Sequence, residues 1–212
     1  MRLRALIAWL VAAGAVIPTA LAAHDRSADP CASPVEPVVK TDRVLLWQDA
    51  GWDLVGCLRG RAPLRLAEAD EPDAVARRFW EAPVAAGAKV AYAQGASYKC
   101  LSASVVVYDL RRRRELRRVQ AGSRVEESGA NGCVSTGAPV QRIVLRRDGA
   151  AAFVSGWGGS VGYEVSAADG DALRSLAGPA AAVDPASLRL SRTGSSVTWI
   201  EGGVRKRAAL SP

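Results

Sequence analysis

Apolar and polar positions along this chain recur in one short arrangement four times. An apolar strand carrying a single aromatic residue runs into a polar, glycine-bearing turn at VLLWQDAG (ending at Gly51), KVAYAQG (Gly95), AAAFVSG (Gly156) and SVTWIEGG (Gly203). The aromatics are Trp47, Tyr92, Phe153 and Trp199, separated by 45, 61 and 46 residues. A second strand follows each copy, in WDLVGCL, SVVVYDL, GYEVSAAD and VRKRAAL, and the first three continue into a third, APLRL, ELRRV or ALRSL. Preceding strands are legible for the last two copies, in VQRIVLRRDG and ASLRLSRTG. Strand and turn at this density, with β-branched residues and Gly or Asp-Gly turns, describe antiparallel meanders. A period of roughly 40–45 residues is the blade length of many propellers. The expected fold is therefore all-β: antiparallel four-stranded meander repeats forming a small, four-repeat β-propeller-like domain over residues 44–212. The long second interval is assigned to an insertion around YKCLSAS, Tyr98 to Ser104.

Two stretches stand apart from the pattern. DEPDAVARRFWEA, Asp70 to Ala82, carries Pro72 where a first helical turn accepts it and is expected to hold a short helix. The fourth repeat stops after VRKRAAL without an outer strand of its own. EPVVKT, Glu36 to Thr41, within the N-terminal segment 23–43, is expected to supply that strand and close the ring, covering an edge that would otherwise invite aggregation. An open arc, a β-sandwich or half of a dimer are the alternatives.

The third copy points to a known repeat. VLRRDGAAAFVSG, Val144 to Gly156, followed by YEVSAADGDALRSL, Tyr163 to Leu176, resembles the repeat of TolB-type, WD40-like propellers, with its Asp-Gly turn and later Asp-Gly hairpin. The second copy keeps the Asp-Leu and basic hairpin in VYDLRRRRELRRV; the first and fourth follow by register. The resemblance covers most of residues 44–210. It implies a fold and carries no catalytic residue. The Ala- and Arg-rich composition also resembles secreted propeller proteins of high-GC actinobacteria.

The first residues change the picture of where the chain works. Arg2 and Arg4 precede an apolar run from Ala5 to Ile17, followed by Pro18 and Ala20-Leu21-Ala22. This reads as a secretory signal peptide over residues 1–22, because the run falls short of the ~20 apolar residues that a spanning helix needs. An extracellular product without a membrane span is expected. Cleavage would leave 26 of 28 basic residues against 21 acidic ones, lowering the net charge from +7 to +5. That mild balance suits weak attraction to anionic envelope polymers, and nucleic acid is not expected as a partner. Cys31, Cys57, Cys100 and Cys133 are an even set in an oxidising compartment, so two disulfides are expected. In the blade frame Cys100 and Cys133 fall in loops of one rim, which leaves Cys31 with Cys57. No metal or cofactor is expected, since the cysteines lack CxxC spacing and the only histidine is His24.

The lone histidine also argues against Ser-His-Asp or Cys-His catalysis. Asp49, Asp53, Asp109, Glu164 and Glu201, near strand ends, leave two-carboxylate hydrolysis formally open, but they read better as turn formers and solvated strand faces. Asp169-Gly170-Asp171 reads as a hairpin turn rather than a calcium loop. Arg111 to Arg114, with Arg117 and Arg118, form either an anion patch or a solvated hairpin edge. GWGGSVG, Gly156 to Gly162, holds Trp157 where the repeat demands only a turn. Trp157, with Trp52 and Tyr98 in equivalent turns of other repeats, is the expected ligand-binding set. The expected function is that of a secreted, non-catalytic binding or structural module for a protein or an envelope polymer. The alternative is a small carbohydrate-active enzyme using carboxylates of the same rim.

Overall fold

The aromatic strands of the four repeats become the second strands of four sheets. The structure, a computed structural model, describes residues 30–32, 35–67, 77–97, 101–122, 125–128, 133–170 and 172–211. Sheet one is β1 (Val39–Lys40), β2 (Val44–Gln48), β3 (Leu54–Leu58) and β4 (Leu64–Ala67). Sheet two is a meander of β5 (Arg77–Ala86), β6 (Lys89–Ser97), β7 (Leu101–Asp109) and β8 (Arg114–Gln120), extended by the hairpin of β9 (Val125–Ser128) and β10 (Cys133–Thr136). Sheet three is β11 (Val140–Leu145), β12 (Ala151–Gly158), β13 (Gly162–Asp169) and β14 (Ala172–Ala181). Sheet four has three strands, β15 (Val183–Leu190), β16 (Ser196–Glu201) and β17 (Val204–Ala209). The register repeats as well: Trp47 faces Val55, Tyr92 faces Val106, Phe153 faces Ser166 and Trp199 faces Lys206.

Alternation along each strand sends successive side chains to opposite faces, and here both faces are needed. In sheet two, Val90, Tyr92 and Val106 pack with Val44, Leu46 and Leu54 of sheet one, whereas Ala91, Val105 and Val107 pack with Ile143, Ala151 and Phe153 of sheet three. In sheet three, Ala152, Val154 and Val165 turn the other way, onto Leu188, Val197 and Trp199 of sheet four. All four repeat aromatics are buried. No core cluster of the described residues joins sheet four to sheet one. The sheets thus succeed one another in propeller-like order, with no strand shared between last and first.

Polar bonds fasten the same interfaces. The Tyr92 hydroxyl donates to the Leu66 carbonyl across sheets one and two at 2.6 Å. The Arg117 guanidinium donates to the Ala168 carbonyl across sheets two and three at 2.7 Å. Between sheets three and four, Arg142 donates to Leu188, Arg146 to Leu210 and Ser211, and Arg174 to Ala209. Asp169 completes this set, taking Arg174 Nε at 2.9 Å and the Ser211 backbone N–H at 2.6 Å. Burial alone would oppose its ionisation, but Arg174 and the Ser211 N–H outweigh it and hold the carboxyl below the ordinary range.

Four expectations change. EPVVKT does not close the ring: Val39 and Lys40 pair with Leu46 and Leu45 as the first strand of their own sheet. Thr41 fixes that hairpin, its hydroxyl accepting the Val44 N–H at 2.9 Å and its N–H donating to the Val44 carbonyl. Ordering so short a loop costs less entropy than carrying the segment to a distant edge. The helix expected over Asp70–Ala82 is replaced, from Arg77 onwards, by β5, because sheet two takes its first strand from this segment; residues 70–76 lie outside the described ones. A bulge between Glu81 and Val84 absorbs the irregular register. The long second interval is filled by the β9–β10 hairpin, while Leu101–Ser104 simply continue β7. Finally, Asp53, Asp109 and Glu164 are buried rather than solvated.

Cys31 and Cys57 form a disulfide, with Cα atoms 5.6 Å apart, packed against Leu45 and Trp47. Cys100 lies outside the described residues, as does the expected signal peptide. The parallel bridge from Ser102 of β7 to Thr136 of β10 sets the segments that follow Cys100 and Cys133 side by side. Peptide mapping of the unreduced protein is expected to recover a Cys31–Cys57 and a Cys100–Cys133 linked pair; a Cys31–Cys133 peptide would refute this.

Phe153, fully buried between sheets two and three, is expected to cost about 3–5 kcal/mol when replaced by Ala, read by chemical denaturation. Asp169→Asn should cost about 1.5–3 kcal/mol through its charge-assisted bonds. Because the folded carboxyl titrates below the unfolded one, its contribution is complete above about pH 4 and fades as pH falls further. The wild type should therefore lose more stability than Asp169→Asn between pH 5 and acid; parallel curves would refute the assignment.

Candidate functional site

Turns between second and third strands, and the connections from one sheet to the next, emerge on one rim of the stack. Two expected ligand-contacting residues of that rim are described, and both are exposed: Trp52 at 68% and Trp157 at 55%. Tyr98, between β6 and β7 in sequence, lies outside the described residues.

Trp157 is presented by a bulge. Gly156 pairs with Tyr163 and Gly158 with Gly162, so Trp157 is the residue left over between two ladder positions and is thrown outward. The glycines around it are required by space. A Cβ on Gly156 would stand 2.6 Å from the Gly162 carbonyl oxygen, and one on Gly158 would stand 2.7 Å from the Tyr163 hydroxyl oxygen, both at positive φ. Tyr163 thus braces the loop from beneath. Gln141 donates to the Gly156 carbonyl at 3.1 Å, and the Gly156 N–H donates to Pro139 of the preceding connection at 3.0 Å. The indole is displayed on a fixed base.

Trp52 sits in a different device. The Asp49 carboxylate accepts the backbone N–H groups of Gly51 and Asp53 at 2.9 and 3.0 Å, and the Trp52 N–H donates to the Asp49 carbonyl. This closed turn holds Trp52 at φ 68°, a left-handed conformation that costs a bulky residue about 1–2 kcal/mol. Asp53, buried behind it, pairs with Arg65 at 2.9 Å.

Beneath Trp157 lies a pocket of about 10 Å³, lined among others by Gly122, Ala138, Val161 and Pro179. That is the room of one water-sized group. Its polar lining is Ser155 and Glu164, which face each other across β12 and β13. Both are buried, and Glu164 accepts the Ser166 hydroxyl at 3.0 Å. Among the described residues, Ser155 Oγ is the one buried side-chain polar atom without a hydrogen-bond partner. Such groups are uncommon in folded proteins and mark places where a water or ligand completes the bonding.

The carboxylates considered for hydrolysis are distributed over the fold. Asp49 caps its turn, Asp53 pairs with Arg65, and Glu201 accepts the Trp199 indole N–H at 3.1 Å. Asp109 belongs to the opposite rim, where it accepts the N–H groups of Arg111 and Arg112 and pairs with Lys89 at 2.8 Å. Glu164 alone lines the Trp157 pocket. The strand order leaves Ser155 unremarkable in sequence, one polar residue in an apolar strand; only its inward register makes it part of a site. Among the described residues no helix is long and apolar enough to cross a membrane, and no group of three His, Cys, Asp or Glu side chains is placed to hold a metal ion. No protein-family model, curated protein or solved structure matches the chain.

Proposed function

We propose that this protein is an exported, non-catalytic binding module, built on a TolB-type propeller plan, that takes a hydroxyl-bearing polymer of the cell envelope across its aromatic rim. The observation that carries this reading is the combination at Trp157: an exposed indole at a bulge, lining the same small pocket as a buried hydroxyl with no partner. A pocket of about 10 Å³ is too small for a whole ligand, so the ligand lies over the surface and sends one small polar group inward. A sugar ring has the matching chemistry, with an apolar face for the indole and a hydroxyl that both donates and accepts for Ser155 and Glu164. The structural bonds held by Asp49, Asp53 and Glu201 favour binding over hydrolysis by a carboxylate pair.

Co-sedimentation with a panel of insoluble envelope glycans is the test. Trp157→Ala is expected to weaken binding at least about tenfold, the ~1.4 kcal/mol of one stacking contact, with an unchanged melting temperature. Ser155→Ala should weaken it a few-fold. Undiminished binding by Trp157→Ala would remove the site, and release of soluble saccharide by the wild type would identify the enzyme instead.

A further inference from the structure

On the opposite rim, hairpins between first and second strands and between third and fourth strands meet around a basic groove. Two adjoining hollows, of about 500 and 430 Å³, share Arg43, Gly87 and Arg147. Arg43 comes from the β1–β2 turn, Gly87 from the β5–β6 turn and Arg147 from the β11–β12 turn, so three successive sheets contribute. Arg111, Arg112 and Lys89 complete the cationic lining. Together the hollows hold five cationic side chains against the acidic Asp42, Asp109 and Asp148, an excess of two.

Two of those carboxylates are already engaged. Asp109 bonds Lys89 and the N–H groups of Arg111 and Arg112, which keeps its carboxyl below the ordinary range despite burial. Asp148 pairs with Arg146 at 2.6 Å and accepts the Ala150 N–H. Arg43, Arg111 and Arg147 are exposed and take part in no ion pair among the described residues. Gly87 lies beside one of them. The Arg147 stem lies in ordinary van der Waals contact with the position of Gly87, whose φ of 65° suits glycine. By contrast the basic run seen in the sequence divides: Arg117 is spent on the Ala168 carbonyl and Arg118 on Glu115 and Gln94. What remains for a ligand is a guanidinium set drawn from three sheets, not the run.

From this geometry we infer that the groove is a binding site for a phosphate-bearing polymer, distinct from the aromatic rim and independent of the reading given for it. Each guanidinium offers a planar fork of donors that matches phosphate oxygens, and separate forks along an open groove suit charges repeated along a chain.

Linear inorganic polyphosphate, titrated by calorimetry at several salt concentrations, is the probe. The wild type is expected to bind with affinity that falls as salt rises. Arg43→Gln/Arg147→Gln should lower affinity roughly tenfold or more and flatten the log Kd against log salt slope by about two, one per lost contact. Arg205→Gln/Lys206→Gln, which removes the same charge from exposed positions of β17, should leave both unchanged. Trp157→Ala should do likewise. Equal loss in the β17 variant would reduce the effect to net charge and overturn the site, as would absence of wild-type binding at low salt. Tighter binding of polyglutamate of matched length would overturn the assignment to phosphate.

Discussion

Burial of both faces of a narrow sheet is the constraint on which the rest of this structure depends. A four-stranded meander has apolar residues on either side of its second and third strands, and neither face can be covered within the sheet itself. Stacking solves this for sheets two and three, where Tyr92 and Val106 turn one way and Val105 and Val107 the other. The end of the stack needs another solution. Trp47, which repeats the position of Tyr92 and Phe153, has no preceding sheet in its cluster and is covered instead with the Cys31–Cys57 disulfide. The cross-link thus closes the apolar face that ring closure would otherwise have to bury.

Once the faces are committed to packing, binding chemistry is confined to the rims. The two rims are chemically unlike for a local reason. One rim carries Trp52 in a second-to-third-strand turn and Trp157 at the bulge beside another, whereas the hairpins of the other rim carry arginines. Trp157 needs a bulge and a run of glycines at positive φ, while Trp52 needs a carboxylate-capped turn that tolerates a left-handed tryptophan. Both devices spend backbone strain or entropy to hold an indole in water, which packing alone does not reward.

Arginine serves two purposes that composition cannot separate. Arg117, Arg142, Arg146 and Arg174 reach across sheet boundaries to backbone carbonyls, using long stems and several donors to satisfy acceptors at the interfaces. Arg43, Arg111 and Arg147 are placed at the groove without such bonds. A net charge of +7 therefore overstates what is open to a ligand, since much of it is tied into the scaffold.

By itself the sequence determined the fold class, the four repeats and the strand on which each aromatic lies, because period-2 alternation and turn residues are local properties of the chain. It also determined that Trp52 stands in a turn and, through the repeat frame, that Cys31 pairs with Cys57, whereas Trp157, expected in a turn, lies at a bulge within β12. What it misplaced depended on which edge a segment would join. Val39–Lys40 folded back on the nearest strand, Arg77–Ala82 became the first strand of sheet two, and the β9–β10 hairpin took up the long interval, each a choice between partners that are distant or ambiguous in sequence. The pocket at Ser155 and Glu164 and the groove of Arg43, Arg111 and Arg147 were decided by tertiary structure alone. Ser155 and Trp157 share β12 and Glu164 faces Ser155 from β13, but the pocket is completed by Gly122 and Ala138 of the connection from sheet two, and only the stacking of sheets brings three guanidinium groups to one hollow.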